Sequence, residues 1–439
     1  MPRLNLLFAT MPVPGHVVPL LPIARALTER GHHVRWCTGE VFAARIAATG
    51  AEFVAMDPSI DHQGRNVDEL FPERTRLKGI AKLRYDMTAV FLDPIPAQVS
   101  DLQRVLAERP ADLVVHDTAY VGATVLELLG GPRAVSVGVT PMMLPAPDVP
   151  PFGPGLRHRT GVVARMQYAA VRALLDNVVF KPVFAHRDRI LAGLGLPEGE
   201  RRLASVSSHL HLQNGIAGLE HPRVFMPPQV KFVGALVDPA PTIDLPDWWE
   251  RMMTAGRPIV HVTQGTVADM DLHQLVLPTI HALADEPVTV VASTGAHDVG
   301  PLPANAFTAP FLPYDRLLPE IAAMVTNGGF GGVQLALAQG VPLVVAGTTE
   351  DKPEVAARVE RSGAGLNLRT SAPSSKAIRA AVRSVLDGGS FRLRARELAA
   401  EYRQHDAAAL SADHVERLAP AGAVQTGGSA PRRAASQWR

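Results

Sequence analysis

The 439-residue chain is 47 % hydrophobic and 19 % charged, with a net charge of +1 at pH 7; that length allows two or three domains with sizeable cores, and without a basic block in its body a nucleic-acid partner has no electrostatic footing. The single cysteine, Cys37, excludes an intrachain disulfide and fits a reducing compartment. No apolar run reaches the roughly 18 residues of a membrane span, and Pro12, Pro14, Gly15 and His16 interrupt the N-terminal apolar stretch where a signal peptide needs continuity, so no membrane partner is expected and the cytoplasm is the expected compartment.

Residues 4–10 read as a first buried strand. The loop 11–16 follows, then a helix to about residue 30 with Leu20, Ile23, Ala24 and Leu27 on one face and Gly31 as its stop. With a strand at 33–38 this makes a βαβ opening. Its first loop lacks GxGxxG, which leaves a nicotinamide dinucleotide unsupported there. That loop carries His16, which reads in two ways. It caps or packs the helix start, or it acts as a base, since an unperturbed imidazole with a pKa of about 6.5 is largely neutral at pH 7. A base needs a carboxylate to orient it and to stabilise the imidazolium. Residues 112–117, Asp-Leu-Val-Val-His-Asp, form a strand ending in the candidate, Asp117. Asp112 sits at the strand start, on the wrong edge of the sheet. His116 alternates away from its neighbours and reads as structural.

Residues 57–110 are helical and loop-like, without a chemical motif. Met87, Val90 and Phe91 fall at roughly helical spacing, which usually means core. After a strand at 134–139 comes a proline-rich loop, 139–155. Its Met142, Met143, Leu144 and Phe152 make either an adaptable apolar wall over a site or an irregular surface loop. A helical stretch spans 162–191. The composition then turns proline-rich at 222–247.

A second βαβ series starts at Pro258. A strand at 259–263 ends in Gln264-Gly265-Thr266, a helix and a strand follow, and Phe311-Leu312-Pro313-Tyr314 lies beyond them. The strand end at 325–326 runs into Asn327-Gly328-Gly329-Phe330-Gly331-Gly332, followed by a helical pattern from Val333 that Gly340 stops. The free N–H groups of Gly331, Gly332 and Val333 at a helix start form an anion site, most naturally for a phosphate or diphosphate. A tight turn needed only for packing is the plain alternative. The next strand, 343–346, ends in Gly347-Thr348-Thr349-Glu350-Asp351-Lys352 on the same sheet edge, where doubly wound folds bind ligands. Helices follow at 353–362, 375–387 and 391–417.

This block resembles the donor signature of the GT-B nucleotide-sugar glycosyltransferases of the bacterial macrolide type: His-small-Gly-x-Gly-Gly/Ser, a helix, small-Pro, an apolar strand, then Asp-Gln. Pro-Gly-His-Val-Val-Pro around His16 is similar to the family's Gly-His-x-x-Pro. The wording TNGGFGGVQ with TEDKPEVAARV resembles actinobacterial enzymes that glycosylate aromatic natural products, such as the indolocarbazole N-glycosyltransferases. The resemblance spans about residues 4–417.

It implies an α/β GT-B fold: two facing Rossmann-like domains with parallel sheets and a cleft between them. Residues 1–235 would bind the acceptor, 236–256 link, and 257–392 bind the donor. Residues 393–418 would cross back as a helix, and 419–439 would be a disordered tail. The implied reaction is inverting transfer of a sugar, with UDP-glucose as donor, to a hydroxyl or N–H of an apolar, aromatic acceptor. His16 would be the base and Asp117 its orienter. The donor phosphates would meet Gly265, Thr266, Asn327, Gly329 and the amides of Gly331, Gly332 and Val333. The base would lie on Phe311 and Leu312, and the sugar on Asp351 and Lys352. Met87, Phe91, Met142, Met143 and Phe152 would line the acceptor pocket. The family uses no metal and no cofactor beyond the nucleotide sugar, and a monomer or homodimer is expected.

Three positions depart from the pattern: Asn327 replaces a phosphate-binding His, Lys352 a sugar-binding Gln, and Tyr314 a Gln. They leave open a dTDP-deoxysugar donor with a macrolide or polyketide acceptor, and a non-catalytic helper descended from a transferase. An epimerase on the same fold is disfavoured by the match around His16.

Overall fold

A computed structural model describes residues 3–198, 206–238, 243–265, 271–295 and 297–419; residues 420–439, most of the expected tail, lie outside them. The first sheet contains β1 (Asn5–Ala9), β2 (His33–Thr38), β3 (Glu52–Ala55), β4 (Leu113–Asp117), β5 (Arg133–Gly138), β6 (Leu210–Asn214) and β7 (Val230–Gly234). Their spatial order is β3-β2-β1-β4-β5-β6-β7, and every neighbouring pair is parallel.

Parallel pairs need crossovers, and these bury both faces of the sheet. In β1, Leu6 and Phe8 enter the core shared with Leu20, Ile23 and Leu27, while Leu7 and Ala9 enter the opposite core with Leu102 and Val105. The period of two along β1 thus divides one apolar run between two helical layers.

The second sheet contains β8 (Ile259–Thr263), β9 (Thr289–Ser293), β10 (Ala306–Ala309), β11 (Ile321–Thr326), β12 (Leu343–Val345) and β13 (Gly365–Asn367), in the order β10-β9-β8-β11-β12-β13. It too is parallel throughout. The strand order reverses between β1 and β4 in the first sheet and between β8 and β11 in the second. At such switch points the loops leaving the carboxyl ends of adjacent strands diverge and open a crevice. His16 follows β1 and Asp117 ends β4; Gly265 follows β8 and the glycine loop follows β11.

The C-terminal helix expected over 391–417 is two helices, Gly389–Tyr402 and Ala407–Leu418. Asp406 caps the second, its carboxylate accepting from the Ala409 N–H at 3.0 Å. The second helix lies on the first domain. Ala412 and Val415 join that core, and Arg30 pairs with Asp413 at 2.7 Å and Glu416 at 2.9 Å. No helix among the described residues is long and apolar enough to cross a membrane.

Candidate active site

Asp117 is fully buried at the end of β4. Its Oδ2 accepts from the Met11 N–H at 2.8 Å, and its Oδ1 from the Ala119 N–H at 2.8 Å. These bonds fix the carboxylate in one orientation. Oδ1 also meets His16 Nδ1 at 2.7 Å. An ionised carboxylate only accepts, so Nδ1 carries the proton and Nε2 keeps its lone pair. The His16 side chain is 21 % exposed, against 0 % for Asp117: the imidazole is open on the side away from its partner. Burial alone would lower the His16 pKa. The charge and hydrogen bond of Asp117, with a smaller pull from Asp351, outweigh it and hold the pKa above 6.5.

The other carboxylate and histidine at this strand have other tasks. Asp112 accepts from the Asn5 N–H at 2.7 Å and ties β1 to the far edge of the sheet. His116 is buried, with Nδ1 bonded to the Asp117 carbonyl at 2.8 Å.

The second half of the site is built on the β8 and β11 turns. The Asn327 amide donates to the Gln264 carbonyl, and its Oδ1 accepts from the Gly329 N–H at 3.3 Å. The residue standing at the family's histidine position therefore braces one switch-point turn against the other. Gly347, after β12, packs so closely on this brace that a Cβ there would lie 1.9 Å from the Asn327 carbonyl oxygen. Only glycine fits.

The helix after the glycine loop begins at Phe330, three residues before the apolar pattern. This corrects one expectation: the Val333 N–H is not free, because it closes the first turn onto the Gly329 carbonyl at 3.0 Å. The first-turn amides are those of Phe330, Gly331 and Gly332. A Cβ at Gly331 would meet nothing within 4 Å, and one at Gly332 only Met324 Cε at 3.9 Å. The space over these amides suits an anion held at a helix N-terminus. Phe311 is exposed beside buried Leu312, giving a free ring face. Thr266 lies outside the described residues.

Asp351 stands at the N-cap position of the helix Lys352–Ser362, and its side chain makes no capping bond. Burial, reinforced by the neighbouring Glu350 charge, pushes its pKa up to about 6, against opposing pulls that include Lys352 and His16. Asp351 and His16, on different domains, lie close enough for each charge to act on the other. Lys352 bonds Thr349 Oγ1 at 3.2 Å and pairs with Glu350. Tyr314 reaches inward. Its hydroxyl donates to His261 Nε2 at 2.9 Å, while His261 Nδ1 donates to the Val291 carbonyl at 2.9 Å.

The acceptor-side residues divide. Met87, Phe91, Met143 and Phe152 are half-buried, and Met87 packs against the core beside β1. Met142 is buried in a small apolar cluster with Val206 and Val230. Sequence reasoning missed His62, which is buried with Nδ1 unpartnered and lies within electrostatic reach of His16. It sits in a loop without any motif.

The Erythromycin biosynthesis protein CIII-like C-terminal domain family matches residues 274–417. The chain is 41 % identical over 418 residues to 4'-demethylrebeccamycin synthase of Lentzea aerocolonigenes, covering 94 % of this chain and 99 % of that protein. It is 32 % identical over 433 residues to UDP-glucosyltransferase 1 of Beauveria bassiana, covering 91 % and 92 % respectively. Among solved structures, the calicheamicin glycosyltransferase CalG4 superposes with a TM-score of 0.72 at 23 % identity, covering 95 % of this chain and 98 % of that one. The last is a likeness of fold.

Proposed function

The chain belongs to the GT-B glycosyltransferases of the bacterial macrolide type, and from that premise we propose that it moves glucose from UDP-glucose to a hydroxyl or N–H of an apolar, aromatic natural product, with inversion. One observation carries the reading. A histidine whose Nδ1 is held by a buried carboxylate keeps a partly exposed ring and lies within electrostatic reach of Asp351 of the other domain.

In this reading His16 Nε2 takes the acceptor proton as the acceptor's lone pair attacks the anomeric carbon. The bond from that carbon to the diphosphate oxygen breaks on the opposite face, and UDP leaves with the electron pair. Asp117 stabilises the imidazolium, whose raised pKa reflects that support. Charge growing on the diphosphate meets the Gly331 and Gly332 amides and the helix dipole, which are oriented before the reaction starts. Asn327 retains a second N–H for the same group, and Asp351 and Lys352 face the sugar. The relative named a UDP-glucosyltransferase supports the donor, and the 4'-demethylrebeccamycin synthase supports an aromatic acceptor.

A thermal-shift panel of UDP, dTDP and GDP tests the donor. A ligand of the native state alone adds about 2.7 kcal/mol of stability at a hundredfold excess over Kd. A UDP shift is expected. A shift with dTDP alone would move the enzyme to the deoxysugar class, and a folded protein silent to all three would favour a helper without catalysis.

A further inference from the structure

The helix that starts with the proposed sugar-binding pair, Asp351 and Lys352, holds the acceptor-side loop one turn later. Glu354, in the first turn of Lys352–Ser362, is buried. Its Oε1 accepts from both the Gly153 and Gly155 N–H groups, each at 2.8 Å. Its Oε2 pairs with Arg358 Nη1 at 2.9 Å. Arg358, also buried, pairs with Glu220 of the first domain at 2.7 Å and donates to the Met142 carbonyl at 3.3 Å. Glu220 Oε2 in turn accepts from the Met142 N–H at 3.0 Å. The proline-rich loop is therefore clamped at both ends, near Met142 and near Phe152, by one helical turn of the other domain. Gly155 seals the contact. At φ +59°, a Cβ there would lie 2.5 Å from the Pro353 carbonyl oxygen.

We infer that Glu354 is a positioning residue that transmits donor binding to the acceptor pocket. It acts through the Gly153–Gly155 turn, which carries Phe152. The inference rests on the donor reading above. Asp351 and Glu354 share one turn of helix, the stiffest connection a chain offers between two contacts. A ligand that fixes Asp351 and Lys352 fixes Glu354 with them, and with it two N–H groups of the first domain. A carboxylate accepting two amide bonds on one oxygen makes stronger bonds than a neutral acceptor. The latch is therefore sensitive to any displacement of the helix. Coupling of this kind has a usual range of about 5- to 150-fold.

Amide hydrogen exchange on the full chain, with and without UDP-glucose, whose sugar would engage Asp351 and Lys352, reads the latch directly. In the wild-type protein UDP-glucose should slow exchange at 327–333 and 347–352, where it would bind, and also at 150–157, by roughly fivefold or more at the latter. Gly155→Ala displaces the loop from Pro353 without altering any charge. Glu354→Gln keeps an acceptor oxygen but removes the charge. In G155A, UDP-glucose should still protect 327–333 but no longer 150–157, and E354Q should fall between it and the wild type. A purely structural role would change basal exchange and leave the UDP-glucose response at 150–157 intact. The inference is overturned if wild-type protection by UDP-glucose stops at the second domain, or if G155A keeps the remote protection. Absence of protection at 327–333 and 347–352 would instead sink the donor reading, and this inference with it.

Discussion

His16 Nδ1 lies 2.7 Å from Asp117 Oδ1, and that carboxylate has no exposed surface. If His16 is the base proposed above, the pair sets a pH requirement. A base works only when neutral, and Asp117 holds the imidazole pKa above 6.5 against the opposing effect of burial. The rate of the wild-type enzyme should therefore fall as pH drops through that raised pKa. Asp117→Asn removes the main raising influences and leaves burial, which lowers the pKa, against only the smaller pull of Asp351. The acidic limb of kcat/KM should move to lower pH, while the plateau falls by about 10²- to 10⁴-fold as the imidazolium loses its support. An acidic limb that stays in place would show that another group titrates there.

Gly331→Ala separates a ligand site from a packing turn. The added Cβ meets no protein atom within 4 Å, and alanine in a helix is favoured over glycine by up to about 1 kcal/mol. Stability in urea should be unchanged or higher. UDP should bind at least about tenfold more weakly, a cost of roughly 1.4 kcal/mol, because the methyl group occupies the diphosphate's space. A variant that binds UDP as the wild type does would return this turn to packing alone.

Gly347→Ala should behave in the opposite way. Its Cβ would approach the Asn327 carbonyl oxygen to 1.9 Å, and a backbone atom braced to Gln264 has no rotamer by which to yield. A loss of about 1–3 kcal/mol is expected, together with loss of UDP binding. Urea melts with and without UDP check both.

Much of this was legible in the chain. β1, β4, β8 and β11 are apolar runs, and the residues that end or follow them mark the two switch points. β6 was not. Its His211 and Gln213 look like loop residues, yet both are buried in a polar network, with Ser136 2.8 Å from His211 and Gln213 donating to the Thr140 carbonyl at 2.9 Å. Such bonds pair residues far apart in the chain and leave no local pattern. Val333 was misread because hydrophobic periodicity starts there, while the helix itself starts within the glycines. The proline-rich loop read equally as cover or as surface. Glu354 shows that its ends belong to a contact between domains, for which a single sequence carries no period.

Tyr314 illustrates a departure from family wording with a structural role. Its hydroxyl is the partner of His261 Nε2, on a buried side chain whose pKa burial lowers to about 4. Tyr314→Phe should cost about 1–3 kcal/mol by leaving that nitrogen unpaired. The loss should appear in urea melts at pH 7.5. An unchanged midpoint would mean that the pair contributes nothing to folding.

The central claim is that His16 removes the acceptor proton. The most direct measurement compares the turnover of His16→Ala with that of wild type, using UDP-glucose and an indolocarbazole acceptor, with UDP affinity measured on the same preparations. The account predicts a rate about 10²- to 10⁴-fold lower, with UDP affinity and melting temperature retained. A rate within a few-fold of wild type, in a folded protein that binds UDP, would contradict it.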